Sequence, residues 1–211
     1  MNIWEYILNK IKMSKLPLIL MNQYNKALKA NNPNLITYVD ENNLTIWYFL
    51  IKGLKDTPFE GGEYIFKLKA PDQFPHKPPS FEFCTPNGVY DIGGKICISV
   101  GEFHANDKPG STGSYGWRPS LGMYGFANEV LNGLINYKFL DHWIRILSTN
   151  IETKKKLASE SIEYNKKYYS EIYTYFISMN ASNSETTSVK NETEVEDEGE
   201  LILLFLIENF N

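Results

Sequence analysis

The chain has 211 residues, a hydrophobic fraction of 43% and a formal net charge of −4 at pH 7. This length predicts one domain with appendages, and the lack of a basic surplus argues against nucleic acid as a partner. Two cysteines are too few for a disulfide framework, so a reducing compartment is expected and we predict a cytoplasmic protein.

Residues 1–14 are predicted to form a separate amphipathic extension. Apolar side chains recur there at helical spacing, at Ile3, Trp4, Ile7, Leu8 and Ile11. Such a helix either docks on the domain or contacts a membrane surface or partner. Contact with a membrane is therefore compatible with the sequence. A transmembrane helix is not expected, because no stretch reaches the roughly 20 apolar residues that a span needs.

The elements that follow are predicted in the order helix, strands, helices. A helix over residues 17–30 ends at Asn31-Asn32-Pro33. Four strands are then predicted at residues 35–40, 44–52, 63–69 and 81–84. Two more helices are predicted, over residues 120–135 with Ser120 as N-cap and over residues 149–177 from a Thr149–Glu152 capping box. This order indicates the α+β class, with an antiparallel meander between helices.

The predicted tail, residues 179–211, has a different composition. It is rich in Ser, Thr, Asn and Glu, which favours a flexible, acidic segment. It ends in the short apolar run LILLFLI at residues 201–207. This run is too short to span a membrane.

Residues 74–99, FPHKPPSFEFCTPNGVYDIGGKICIS, contain both cysteines of the chain. Prolines and glycines divide the stretch into loop, strand and turns, and Cys97 lies in a short apolar run between Ile96 and Ile98. By residue type alone, a lone cysteine is more often a small buried hydrophobe than a nucleophile. Cys84, in a predicted strand, is interpreted in this structural way.

Several motifs in fixed order resemble those of ubiquitin-conjugating enzymes. They are Pro58-Phe59-Glu60-Gly61-Gly62, Phe74-Pro75-x-Lys77-Pro78-Pro79, Phe83, Thr85-Pro86-Asn87-Gly88, Lys95-Ile96-Cys97-Ile98-Ser99 and Trp117-x-Pro119. The resemblance covers about residues 15–178, which we take as the catalytic domain, and implies the family's fold. Thr-Pro-Asn-Gly in place of the usual His-Pro-Asn is similar to a non-canonical class associated with the endoplasmic reticulum.

The resemblance implies specific chemistry. Cys97 would accept ubiquitin from an activating enzyme as a thioester and pass it to an amine of a protein substrate, because a thioester is reactive toward amines. Asn87 would either donate to the developing oxyanion or hold the loop in place. Asp141 is the candidate that orients the incoming lysine. Neither a cofactor nor a metal is implied.

The resemblance also implies a surface for RING-type ubiquitin ligases. Its candidate residues are Pro78, Pro79, Trp117 and Pro119. Two alternatives stay open at this point. The chain could conjugate another ubiquitin-like modifier, or it could be a catalytically silent variant that binds ubiquitin or a ligase. Retention of Cys97 argues against the silent variant.

Overall fold

The computed structural model describes residues 16–30, 32–40, 42–94, 96–102, 116–139, 147 and 149–186. Three predicted features lie outside the described residues: the N-terminal amphipathic helix, Asp141 and the apolar run at 201–207. The chain divides into two compact units, Met1–Phe176 and Ile177–Asn211. The first unit contains the sheet and the candidate site. In the second, the described residues belong to the last helix.

A four-stranded antiparallel sheet forms the centre of the first unit. Its strands are β1 (Leu35–Val39), β2 (Ile46–Lys52), β3 (Glu63–Lys69) and β4 (Ser80–Phe83), in the order β1-β2-β3-β4. The predicted meander is confirmed. Phe49 pairs with Phe66, which pairs with Phe83, and their ring centroids lie 5.0 and 5.6 Å apart. Alternation along each strand puts this aromatic row on one face.

Helices precede and follow the sheet. They are α1 (Leu16–Ala30), α2 (Gly122–Ile135), a 3-10 turn (Tyr137–Phe139), α3 (Ile151–Tyr168) and α4 (Ser170–Thr186). The predicted single helix over residues 149–177 is wrong, because the backbone leaves helical geometry at Tyr169, with φ −134° and ψ 36°. None of the helices in the described ranges is both long and apolar enough to cross a membrane.

Helix α2 completes the core on the aromatic face of the sheet. Met123, Phe126, Ala127 and Val130 are fully buried, and their spacing places them on one side of the helix. The ring of Phe126 lies 5.9 Å from that of Phe81 in β4. The core therefore joins α2 to the strand that leads toward the cysteine stretch.

The N-caps predicted at Ser120 and Thr149 are both wrong, because contacts with distant parts of the chain determine where the two helices begin. Helix α2 starts after Leu121, which makes no capping bond through its side chain. Instead the Gln23 Oε1 of α1 accepts a hydrogen bond of 2.9 Å from the Met123 N–H. A side chain at Gly122 would collide with this amide. Helix α3 is capped one residue later than predicted, by Asn150, whose Oδ1 accepts from the Thr153 N–H at 2.8 Å.

Replacing Gln23 by Ala should lower the free energy of unfolding by about 1 kcal/mol, because a first-turn N–H of α2 loses its acceptor. Denaturant unfolding measures the change. Gln73→Ala is the matched control, since Gln73 is exposed and should shift the midpoint little. Equal effects of the two substitutions would contradict a capping role for Gln23.

Candidate active site

Cys97 is held in place by the backbone and by its neighbours. Ile96 donates its N–H to the Phe81 carbonyl of β4 at 3.2 Å. Ile96 and Ile98 both enter the hydrophobic core, so the residue between them has little freedom. Cys97 itself is 6% exposed. The candidate nucleophile therefore has a position fixed on both sides.

A cavity of about 200 Å³ adjoins Cys97. The cysteine stretch and Tyr90 form one wall, and the C-terminal half of α2 forms the other. The lining residues are Tyr90, Cys97, Ile98, Ser99, Glu129, Asn132, Gly133 and Asn136. Glu129, Asn132 and Asn136 bring polar groups to this wall, while most of the exposed lining is apolar. The cavity can therefore receive a chain that makes apolar contacts and a few hydrogen bonds next to the thiol. In the part of the chain that the structure describes, no group of three or more His, Cys, Asp or Glu is arranged to hold a metal ion.

Asn87 is fully buried and its side chain bonds within its own loop. Its Oδ1 accepts from the Val89 N–H at 2.9 Å and from the Tyr90 N–H at 2.7 Å. Its Nδ2 donates to the Thr85 carbonyl at 3.2 Å. Of the two roles that the resemblance implied, these contacts correspond to holding the loop.

Thr85 links this loop to β3 and α3, although the resembled family usually has His there. Its Oγ1 accepts from the Ile65 N–H at 2.9 Å and donates to the Asn165 Oδ1 at 2.5 Å. The Asn165 Nδ2 in turn donates to the Glu63 carbonyl at 2.8 Å. Thr85 and Asn165 are both fully buried. The sequence analysis did not predict these contacts, because the two partners of Thr85 lie 20 and 80 positions away from it.

A second link joins the loop to the start of α3. The Thr149 Oγ1 donates to the Gly88 carbonyl at 2.5 Å. Lys154 is 3% exposed. Its ammonium donates to the Thr149 carbonyl and to the Thr149 hydroxyl at 3.1 Å, and it lies 5.0 Å from the centroid of the Tyr137 ring. Gly88 has φ +76°, and a Cβ there would approach the Thr149 Oγ1 to 2.7 Å, so glycine suits both the backbone and the contact.

The candidate ligase residues fall into two groups. Pro78, Pro79 and Trp117 are buried, whereas Pro119 is exposed. The Trp117 Nε1–H donates to the Pro75 carbonyl at 2.7 Å, which holds the two predicted loops together. The exposed residues of these loops include His76, Lys77, Arg118 and Pro119. A partner that docks here would touch this second set.

Cys84, the other thiol, lies on the opposite side of the sheet from the aromatic row. It is 6% exposed. Burial raises the pKa of its thiol to about 11, while a hydrogen bond with Tyr169 acts in the other direction. The protonated form is a poor nucleophile, which fits the structural interpretation of this residue.

The fold and the cysteine stretch together define a ubiquitin-conjugating fold. A solved structure of a putative ubiquitin conjugating enzyme from Plasmodium yoelii matches with a TM-score of 0.53 and 19% identity, over 70% of this chain and 96% of that chain. The family model described as ubiquitin-conjugating enzyme matches residues 19–170. The chain belongs to the ubiquitin-conjugating enzyme family.

Curated relatives place it within that family. Ubiquitin-conjugating enzyme E2 6 of Candida glabrata is 30% identical over 147 residues, which are 69% of this chain and 54% of the relative. Ubiquitin-conjugating enzyme E2 J2 of mouse is 30% identical over 149 residues, which are 70% of this chain and 52% of the relative. The matches thus span about half the length of these two relatives. They confirm the non-canonical class predicted from the Thr-Pro-Asn-Gly motif.

Asn87→Ala should destabilise the protein, because the buried Val89 and Tyr90 N–H groups lose their acceptor at a cost of about 1–3 kcal/mol each. The loss is measured by denaturant unfolding. Asn43→Ala is the control, since the Asn43 Oδ1 makes a similar turn bond to the Thr45 N–H in an exposed position. A fully stable Asn87→Ala protein would contradict the loop-holding role and favour direct donation to an oxyanion.

The pKa of Cys84 predicts slow alkylation in the native state. In a Cys97→Ala protein at pH 8, iodoacetamide should react with Cys84 about 100-fold more slowly than after unfolding, because the folded pKa is about 11 against 9.0. The rate, followed by mass, should rise between pH 9 and 11. The folded state favours the neutral Cys84 thiol. The contribution of Cys84 to the free energy of unfolding is therefore complete below its unfolded pKa of 9.0, and it declines as the pH rises from 9 to 11. Equally fast labelling of native and unfolded protein at pH 8 would refute this.

Proposed function

We propose that this chain accepts ubiquitin as a thioester on Cys97 and transfers it to a substrate amine, usually together with a RING-type ligase. The observation that carries the proposal is the placement of Cys97. The thiol lies beside a partly polar cavity, on a stretch fixed by β4 and by the core. Membership of the conjugating family supports the assignment.

The reaction needs two acyl transfers. First, the Cys97 thiolate attacks the thioester that joins ubiquitin to the activating enzyme's cysteine; a new C–S bond forms, the old one breaks, and that cysteine leaves as a thiolate. Second, a substrate amine attacks the new thioester, Cys97 leaves as a thiolate, and the amine loses its proton. ATP is consumed upstream, and neither step uses a cofactor.

Residues around Cys97 take supporting roles in this proposal. Asn87 keeps the loop in position through its bonds to Val89 and Tyr90. Asp141 orients the incoming lysine and favours loss of its proton, since an amine with a pKa near 10.4 is mostly charged at neutral pH. This last role rests on the resemblance.

The ligase is proposed to dock on the two loops joined by Trp117. The buried Pro78, Pro79 and Trp117 shape them, and the exposed Arg118 and Pro119 make the contacts. We propose that the reaction takes place in the cytoplasm. Association with a membrane surface is compatible with the similarity to E2 J2.

The charging reaction tests the proposal. Incubation with activating enzyme, ubiquitin and ATP should yield a thiol-sensitive adduct about one ubiquitin heavier, seen on non-reducing gels. Cys97→Ala should abolish it, and Cys97→Ser should give an ester that resists thiols, because an oxygen ester is less reactive. Cys84→Ala is the matched control and should charge normally.

The alternatives give different results in the same assay. An adduct with another ubiquitin-like modifier and its activating enzyme, but none with ubiquitin, would identify a different conjugation pathway. Failure to charge, with measurable binding of ubiquitin, would indicate the silent variant. An adduct on Cys97→Ala would refute the assignment of the nucleophile.

A further inference from the structure

Tyr90 lines the same cavity as Cys97, and its buried hydroxyl has no structural role in the contacts described above. Its ring belongs to the core, stacked 5.0 Å from the Phe83 ring. Its hydroxyl is buried and has no hydrogen-bond partner among the residues that the structure describes. A buried hydroxyl without a partner destabilises a fold, and phenylalanine would fill the same space without that cost.

Helix α2 also leaves room for this hydroxyl. Gly133 lies in the last turn of the helix, and glycine has a lower helix propensity than alanine. A Cβ at Gly133 would collide with the Tyr90 hydroxyl, whereas the next ring carbon would lie 3.6 Å away, an ordinary contact. Tyrosine at position 90 is less favourable than phenylalanine, and glycine at position 133 is less favourable than alanine. Both residues are nevertheless present, and Gly133 leaves the space that the Tyr90 hydroxyl oxygen occupies.

The position of the Tyr90 hydroxyl suggests a role in binding a chain attached to Cys97. Tyr90, Gly133 and Cys97 line the same cavity of about 200 Å³. That volume corresponds to roughly seven water molecules at about 30 Å³ each, so the cavity has room for the first atoms of a bound chain. Because Cys97 is one of the lining residues, an acyl chain attached to its sulfur begins at this cavity, and the chain carries carbonyl oxygens that accept hydrogen bonds.

We propose that the Tyr90 hydroxyl donates a hydrogen bond to a carbonyl oxygen of the acyl chain held on Cys97. The bond forms only in the charged enzyme, fixes the chain for attack by the amine, and involves no proton transfer. This inference rests on the proposed function and adds a donor that the family motif does not contain.

The state of the phenol supports this role. Burial raises the pKa of Tyr90 above its ordinary value of 10.0, so the hydroxyl keeps its proton wherever the charged enzyme is handled. A donor that meets its acceptor only in the charged enzyme acts on discharge by orienting the acyl chain, and it leaves the free enzyme unaffected.

Tyr64 provides a matched control. Its hydroxyl is also buried without a partner in the described structure, and a Cβ at Gly62 would collide with it. However, Tyr64 does not line the Cys97 cavity. Tyr64→Phe and Tyr90→Phe therefore remove the same atom from similar surroundings, and only one of the two changes lies beside the thiol.

The test uses the full chain, charged with ubiquitin by activating enzyme and ATP, then chased with excess free lysine in a single turnover. Tyr90→Phe should keep or raise the melting temperature and slow discharge about tenfold, as expected for the loss of one hydrogen bond. Tyr64→Phe should have the same effect on melting and discharge at the wild-type rate.

Two results would overturn the inference. One is discharge of Tyr90→Phe at the rate of Tyr64→Phe. The other is a melting temperature of Tyr90→Phe several degrees below wild type, which would show that the hydroxyl stabilises the free fold. If the wild type does not charge at all, the proposed function fails instead, so the two failures are distinguishable.

A second pair of variants tests the geometry without the reaction. Gly133→Ala should lower the melting temperature in the wild type, because the new methyl group meets the Tyr90 hydroxyl. In the Tyr90→Phe background the same change should be neutral or stabilising, since the space is then open and alanine favours the helix. An equal loss in both backgrounds would show that the hydroxyl does not occupy this space, and would overturn the argument.

Discussion

The hydrogen bond from the Thr85 hydroxyl to the Asn165 amide is the contact on which the candidate site depends. Both residues are fully buried, so water could not take the place of either one if the hydrogen bond were broken. Through it, the loop before Cys97 is joined to α3, and the Ile65 N–H joins both to β3. The candidate active-site stretch therefore takes its position from helix α3 as well as from the sheet.

Two further contacts extend this arrangement toward the cysteine. Asn87 holds the backbone at Val89 and Tyr90, and Thr149 holds Gly88. Tyr90 then reaches the cavity wall, where the cysteine stretch meets α2. Each contact joins residues distant in sequence or closes a tight turn, so the geometry beside Cys97 is a property of the whole packed unit. Preorganisation of this kind lets a site act without rearranging during the reaction.

The sequence predicted the sheet well, because strands with one buried face show it in their alternation, as β3 does at Tyr64, Phe66 and Leu68. It predicted helix starts poorly. Gln23 caps α2 from 100 positions away, and the Thr149 hydroxyl, bonded to Gly88, leaves the cap of α3 to Asn150. Capping residues in the sequence allow several helix starts of similar free energy, and tertiary contacts determine which of these starts the fold adopts. Cys97 was predicted as the nucleophile from its motif alone. No sequence pattern predicted a role for the Tyr90 hydroxyl.

The burial of Lys154 has a consequence for the proposed transfer of ubiquitin to amines. An enzyme with that activity also carries lysines of its own, each of which is a potential acceptor. The Lys154 ammonium is shielded from solvent and donates two hydrogen bonds to Thr149, so it cannot become a free nucleophilic amine without local unfolding. The fold thereby protects the lysine that supports the candidate active-site loop. Lys155 and Lys156 are exposed on the same helix, so the proposed reaction would leave self-modification to lysines of this kind.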